Sequence, residues 1–410
     1  MKNILKLIIL TLLFSCSNED NVDENEILIT GITPKKIRIG DTLIIRGKNV
    51  NKISSFDFKT VDDTWNISPV ERGLDEIKVV VPIMTNENFD LIVLPNSSTI
   101  NSTSLNLIGT IPIKFNFNYD ATSVKAISEK VFFVAAGSIL WKTIDGGYNW
   151  ELIKDFEFYI GSSMFFLNEN QGWVEISDNS NSMVYYTSDG GVNFEKVFEK
   201  NFGNKSIIQI YFSSPTEGYL LTTKGEIYQT NDNSNFNLIY DFPDSDEGSG
   251  STDFFNLSVF NNTLITSGTT GGSDAKPVLI TKKDNIFNYS IFDNVIKNIQ
   301  LIDESQAYLI KKTSGLEDKL FFTNITSLNL EETSSKRMHD FYFLNKNIGI
   351  GVSSSSNYGH HIIFETYDGG KNWKNKYKFK NFEYSLDIDF YNNIGLITGK
   401  RGRLWKHILE

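Results

Sequence analysis

The chain has 410 residues, more than one domain of average size, and its 40% hydrophobic and 13% aromatic content is ample for buried cores. A formal net charge of −11 excludes a nucleic-acid partner, because binding phosphates needs a basic face that releases counterions. The single cysteine, Cys16, excludes an intramolecular disulfide.

Residues 1–15 read as a signal peptide: Lys2 and Lys6 form a basic start, and "ILKLIILTLLF" is an apolar core too short to span a bilayer. It ends in Leu13-Phe14-Ser15-Cys16, which resembles the bacterial lipobox. That resemblance implies cleavage before Cys16 and acylation of its thiol and new amino terminus, with the lipid anchor as the only membrane contact. Residues 16–26, "SNEDNVDENE" after the cysteine, are polar and acidic and read as a flexible tether. An acidic run at this place also resembles the signal that exports lipoproteins of the Bacteroidota to the cell surface. The expected address is the outer membrane, exposed outward.

Over 27–109 the chain alternates apolar and polar residues in short runs separated by turns: "ILITGITPKKIRIGDTLIIRGKNV", "EIKVVVP" and "NFDLIVLP". Period-two strands joined by short turns predict two packed sheets. The Ile-Thr-Pro opening, the "GDTLIIRG" hairpin and the "KVVVP" strand resemble an IPT/TIG domain, an immunoglobulin-like sandwich. As a stalk, such a module is a spacer rather than a binding site.

Residues 110–410 contain a repeat. "TIDGGYNW" at 143–150 returns as "TSDGGVNF" at 187–194 and "TYDGGKNW" at 366–373. Degenerate copies lie between them: "TNDNSNF" at 230–236, "KKDNIFNY" at 282–289 and "TNITSLNL" at 323–330, where Ile325 replaces the aspartate. The aspartate positions are spaced by 44, 43, 52, 41 and 43 residues. A period of about 40–50 residues built of short strands predicts four-stranded propeller blades. Each turn is preceded by an apolar strand and then a strand that opens with Gly and an apolar residue, as in "MFFLNENQGWVEIS" and "FYFLNKNIGIGVS". The last segment, "GRLWKHILE", lacks an outer strand, and "IPIKFNFNY" at 111–119 alternates correctly to supply it. The predicted fold class is therefore all-β: an immunoglobulin-like (IPT/TIG) sandwich followed by a seven-bladed β-propeller.

The turn motif resembles the Asp-box, or BNR repeat, of sialidases, sortilin-type propellers and photosystem II assembly-factor propellers. In those families it is the hairpin joining the third and fourth strands of a blade. The resemblance assigns a structural role to Asp145, Gly146, Gly147 and Trp150; to Asp189, Gly190, Gly191 and Phe194; to Asp232 and Phe236; to Asp284; and to Asp368, Gly369, Gly370 and Trp373. A ring disperses these aspartates around one rim, so they do not converge on chemistry. The assembly-factor propeller holds its client with an arginine-rich patch. Here only Arg337, Arg401 and Arg403 fall in the repeat region, so that function does not carry over. The same shortage, with Arg401 and Arg403 on one hairpin, argues against a sialidase.

Ligands are expected on the opposite rim, in loops carrying Tyr159, Phe254, Phe255, Tyr358, His360 and Arg401. Aromatic faces with polar neighbours suit an extracellular glycan or a protein partner, so the expected role is non-catalytic binding or scaffolding. A glycoside hydrolase is the alternative, since it needs only two carboxylates roughly 5–9.5 Å apart. No cofactor or metal is expected: His360 and His361 are adjacent and would point to opposite faces of a strand. The acidic stretch 241–253 lacks EF-hand spacing.

Overall fold

The computed structural model describes residues 26–95, 98–100, 105–115, 117–178, 180–203, 206–243, 253–271, 274–313, 318–354, 361–378 and 385–410. Cys16, Tyr358 and His360 lie outside them, as does most of the acidic stretch 241–253. The chain divides into two compact units. One comprises the described residues up to Lys35 with Asp41–Pro82 and Phe89–Leu105; the other comprises Lys36–Gly40, Ile83–Asn88 and Asn106–Glu410.

The first unit has two four-stranded antiparallel sheets. One orders Leu28–Thr33, Thr42–Lys48, Glu76–Val80 and Glu71–Arg72; the other orders Thr64–Ile67, Ser55–Lys59, Asp90–Leu94 and Ser98–Ile100. The period-two pattern sends alternate side chains inward. Leu43, Ile45, Phe56, Phe58, Ile77, Val79, Leu91 and Val93 are all buried. Each such side chain contributes about 1.5–3 kcal/mol relative to exposure.

Among the described residues the second unit holds seven four-stranded antiparallel sheets, here I to VII. Their innermost strands are Ala121–Ala126, Ile160–Phe166, Ile207–Phe212, Asp253–Phe260, Ile296–Leu301, Asp340–Phe343 and Ser385–Tyr391. Each inner strand touches the next, and the inner strand of sheet VII touches that of sheet I, so the series closes into a ring. Sheets I to VI are each built from consecutive segments. Sheet VII takes its outer strand from the other end of the repeat region: Gly109–Pro112 pairs with Leu404–Ile408, with Gly109 opposite Ile408 and Pro112 opposite Trp405. The expected donor, 111–119, is shifted. Past Pro112 the regular pairing ends, although the Ile113 N–H still donates to the Leu404 carbonyl at 3.0 Å and the Phe117 N–H to that of Gly402 at 3.2 Å, and Phe115 and Phe117 pack on Trp141 and Trp150.

The second strand opens on glycine in sheets II, III and VI, at Gly172, Gly218 and Gly349, and on Phe132, Thr263, Gln306 and Ile394 in the others; where the glycine is present it has a packing cause. A Cβ on Gly172 would lie 2.2 Å from the Phe166 ring, and one on Gly218 would lie 2.5 Å from Phe212. The aromatic ring that ends the inner strand lies flat over that glycine. On its other face Phe166 stacks on Phe133 of the preceding sheet at 3.6 Å, and Phe212 stacks on Trp173 at 3.6 Å. The Gly-aromatic pairs of the sequence are thus the joints between successive sheets.

Candidate functional site

The repeated turns join third to fourth strands and share one construction. Asp145 Oδ1 accepts the backbone N–H groups of Tyr148 and Asn149, both at 3.0 Å, and the Thr143 hydroxyl at 2.8 Å. Its Oδ2 accepts the Asn149 side-chain amide at 2.7 Å. Asp189, Asp232 and Asp368 make corresponding sets of bonds. These bonds hold the Asp145 carboxyl below its ordinary range despite partial burial, and they depress Asp189 and Asp368 as well. Gly191 has φ +100°, and a Cβ there would meet Ile153 at 2.3 Å, so only glycine fits. Trp150, Phe194, Phe236 and Trp373 pack partly buried against the sheets.

Two degenerate copies differ. Asp284 and Asn285, both with positive φ, form a two-residue hairpin turn between Pro277–Lys283 and Ile286–Ile291. With neither glycine pair nor spacer residues, the chain closes in two residues rather than in the longer bracket. Ile325 is buried in the sheet IV–V core, and the neighbouring Asn324 side chain accepts the Thr326 N–H at 2.9 Å.

The opposite rim carries exposed aromatics. Phe158 and Tyr159 are 50% and 55% exposed on the loop from sheet I to sheet II, and Tyr119 is 56% exposed beside them. The Tyr119 ring covers Gly137, whose carbonyl accepts the Ile160 N–H at 2.9 Å. Arg401, at φ +61°, is held by its own N–H donating to Asp120 Oδ1 at 2.7 Å. Of the sequence candidates, Tyr159 and Arg401 are therefore brought to either side of Tyr119 and Asp120. Phe255 is exposed on the inner strand of sheet IV. Phe254 must be corrected: it is buried, packed on Phe242 and over Gly268. Phe254 pairs with Gly268 and Asn256 with Ser267, so Phe255 is the extra residue of a bulge between them, and it is the exposed one of the two.

A central channel of about 500 Å³ runs along the inner strands. Every inner strand alternates: Leu257 and Val259, Ile299 and Leu301, or Phe341 and Phe343 enter the joints, while Asn256 and Ser258, Asn298 and Gln300, or Asp340 and Tyr342 line the channel. None of these lining residues is among the candidates named from the sequence. Their signal was the polar-apolar alternation in "NLSV", "NIQL", "DFYF" and "DIDF".

The lining side chains bind the next sheet's backbone. Ser163 accepts the Ile210 N–H at 2.7 Å, and Ser258 accepts that of Leu301 at 2.9 Å. Gln300 donates to the Phe343 carbonyl at 2.8 Å and accepts its N–H at 2.7 Å. Where sheet VII meets sheet I the acceptors are carboxylates: Asp387 takes the Val124 N–H, and Asp389 takes that of Ala126 together with an ion pair to Lys125 at 3.0 Å. Burial pushes Asp387 up to about 6, aided by the charge of Asp389. Burial, with the charge of Asp387 added, pushes Asp340 up to about 7, while Asn298 donates to it at 2.5 Å. Among the described residues, Asn256 Oδ1 and Thr122 Oγ1 are buried on this lining without a hydrogen-bond partner.

With this geometry in hand, known structures identify the architecture. Over 75% of this chain and 99% of the other, the chain is similar to YCF48 bound to D1 peptide, at 18% identity and a TM-score of 0.57. YCF48 from Cyanidioschyzon merolae gives 15% identity over 73% and 99%, with a TM-score of 0.58. Virginiamycin B lyase from Staphylococcus aureus gives 10% identity over 73% and 100%, with a TM-score of 0.56. The fold is that of a β-propeller. No protein-family model and no curated protein matches the sequence.

Proposed function

We propose that this β-propeller is a non-catalytic binding protein that holds a protein partner on the rim formed by Tyr119, Phe158, Tyr159 and Arg401. In this reading it has seven blades with Asp-box hairpins, follows an immunoglobulin-like module in the chain, and is anchored at the outer membrane surface through lipid on Cys16. The observation that carries the reading is the division of labour between the two polar regions. The channel carboxylates Asp387 and Asp389 are occupied as backbone acceptors, whereas the rim presents aromatic faces half exposed on pinned loops. Tyrosine and arginine on a rigid surface are the usual anchors of a protein interface. The likeness to YCF48 bound to D1 peptide supports a propeller that takes a polypeptide rather than one that cleaves a substrate. An extracellular glycan suits the same aromatic faces.

A second reading has one specific observation in its favour. Asp340 and Asp387 both line the channel and interact electrostatically, and burial raises Asp340, to about 7, more than Asp387, to about 6, which would leave Asp340 as the general acid and Asp387 as the ionised partner of a glycoside hydrolase. Affinity electrophoresis of the full chain through gels containing a panel of polysaccharides, with reducing ends assayed in parallel, separates the readings. The expected outcome is no released reducing ends. Release that is abolished by Asp340→Asn would replace binding with hydrolysis.

A further inference from the structure

Sheet IV departs from its neighbours at the outer edge. In sheets I, II, III, V and VI the pairing of third and fourth strands carries a register irregularity. In sheet IV the pairing runs without one, from Val278 opposite Ile291 to Lys283 opposite Ile286. The cause is the Asp284-Asn285 turn, which closes the hairpin in two residues and leaves no bulge to twist the edge away. Composition differs too. The outer strands of sheets I, II, V and VI read "ELIKD", "EKVFEKN", "EETSSKR" and "KNKYK", each with charges that discourage strand pairing, and that of sheet III has only four residues. Ile286–Ile291 reads "IFNYSI", with no charge. Ile286, Tyr289 and Ile291 are 63%, 53% and 54% exposed. A straight, uncharged, apolar edge is a template for another strand.

We propose that this edge is a homotypic docking site, where the Ile286–Ile291 strands of two copies pair antiparallel about a two-fold axis. The strand itself selects the occupant: two copies that each carry −11 repel over most of their surfaces, and Ile286–Ile291, with no charge of either sign, lets them meet without a like-charge contact. The sequence is also self-complementary when Asn288 sits on the axis. Phe287 then faces the partner's Tyr289, and Ile286 faces the partner's Ser290. The Phe287 and Tyr289 rings already pack on Tyr240 and Phe242, with centroids 4.5 and 5.8 Å apart, so the pairing extends an aromatic row across both copies. Past the strand, the Asp293 carboxylate is compensated by Lys311 at 2.7 Å. The contact is independent of the partner held on the rim.

The test is sedimentation velocity of the full chain carrying Cys16→Ser, over a concentration series. The expected result is a reversible dimer whose association weakens at least tenfold in Ile286→Lys/Asn288→Lys, with an unchanged unfolding midpoint. Opposed residues of an antiparallel pair lie within disulfide reach, so Asn288→Cys in the same background should cross-link on mild oxidation. Val192→Cys, exposed on an Asp-Gly-Gly turn, should not. A monomer at every concentration, or a dimer indifferent to the two lysines, overturns the proposal. Loss of the dimer without the cysteine 288 cross-link overturns the two-fold pairing.

Discussion

Asp387 Oδ2 accepts the backbone N–H of Val124, 263 residues earlier in the chain, at 2.8 Å. One turn of the pleat away, Asp389 Oδ2 accepts the N–H of Ala126 at 2.7 Å and meets Lys125 at 3.0 Å. The junction that closes the ring is therefore made by two carboxylates, whereas Ser163, Ser258 and Gln300 clamp their neighbouring sheets through a hydroxyl or an amide. Asp389→Ala should leave a buried N–H and the Lys125 ammonium without their acceptor, and cost about 2–4 kcal/mol. Ser258→Ala, which removes a neutral clamp, should cost about 1 kcal/mol. Urea unfolding of the two variants checks the order.

The raised carboxyls fix the direction of the pH dependence. Asp387 ionises near 6 and Asp340 near 7 in the folded chain, against an ordinary value of 3.8, and burial also pushes Glu175 up to about 7. Below 3.8 these groups are protonated in both states. Between there and 7 the folded state holds protons that the unfolded state has released, so stability falls as pH rises through this window. Thermal unfolding from pH 5 to pH 8 should show a declining midpoint, and Asp340→Asn should flatten the decline. A midpoint rising over that range in the wild type, and unaltered by the substitution, would refute this assignment.

The bracket turns act in the opposite sense. Asp145 is held below its ordinary value by the bonds it accepts, so its contribution is present at neutral pH and lost as pH falls through its depressed folded value. Asp145→Ala should cost about 1–2 kcal/mol through loss of those bonds. Asp284→Gly should cost far less, because the Asp284-Asn285 turn depends on a positive φ that glycine also adopts rather than on a carboxylate bracket. Chemical denaturation of both variants at pH 7 separates the two kinds of turn.

A buried polar cluster in sheets VI and VII provides a further test. His407 Nδ1 lies 2.8 Å from the Thr110 hydroxyl and Nε2 lies 3.1 Å from Glu365 Oε1, while Lys376 meets Glu365 Oε2 at 3.0 Å. Burial pushes the His407 ring down, so it is neutral at pH 7, with Nε2–H donating to Glu365 and Nδ1 accepting from Thr110. Thr110 belongs to the outer strand supplied from the start of the repeat region, so this chain of bonds fastens that strand. Glu365→Ala leaves Lys376 facing a buried gap, and should cost about 3–5 kcal/mol. Proteolysis should then begin near residues 109–112 rather than at the rim loops.

The parts of this architecture that were legible are those written in contiguous residues. "DGGYNW" and its copies carry both the turn conformation and the acceptor within a few positions, so their period marked the sheets. The Gly-Trp and Gly-Tyr openings were visible as a pattern, although their cause, a ring from the neighbouring strand lying over the glycine, is tertiary. Phe254 was misassigned because an aromatic pair beside a loop does not reveal which face of its strand each ring takes. The residues that line the channel were missed for a related reason. Asp387, Asp389 and Asp340 look like ordinary surface acids until the ring brings 124 and 126 beside 387 and 389. The departure at Asp284 was hidden because one aspartate followed by an aromatic satisfies the repeat without the glycines that make the bracket.

The measurement that bears most directly on the binding account is cross-linking on intact cells expressing the full chain, followed by mass spectrometry of the captured partner. Wild type is compared with Tyr119→Ala/Phe158→Ala/Tyr159→Ala/Arg401→Ala. The account predicts one specific protein partner, cross-linked to peptides from the 119–120, 156–160 and 400–403 loops and lost in the rim variant while the unfolding midpoint is kept. A partner captured equally by both proteins, or cross-links that fall on the Asp-Gly-Gly rim, would contradict it.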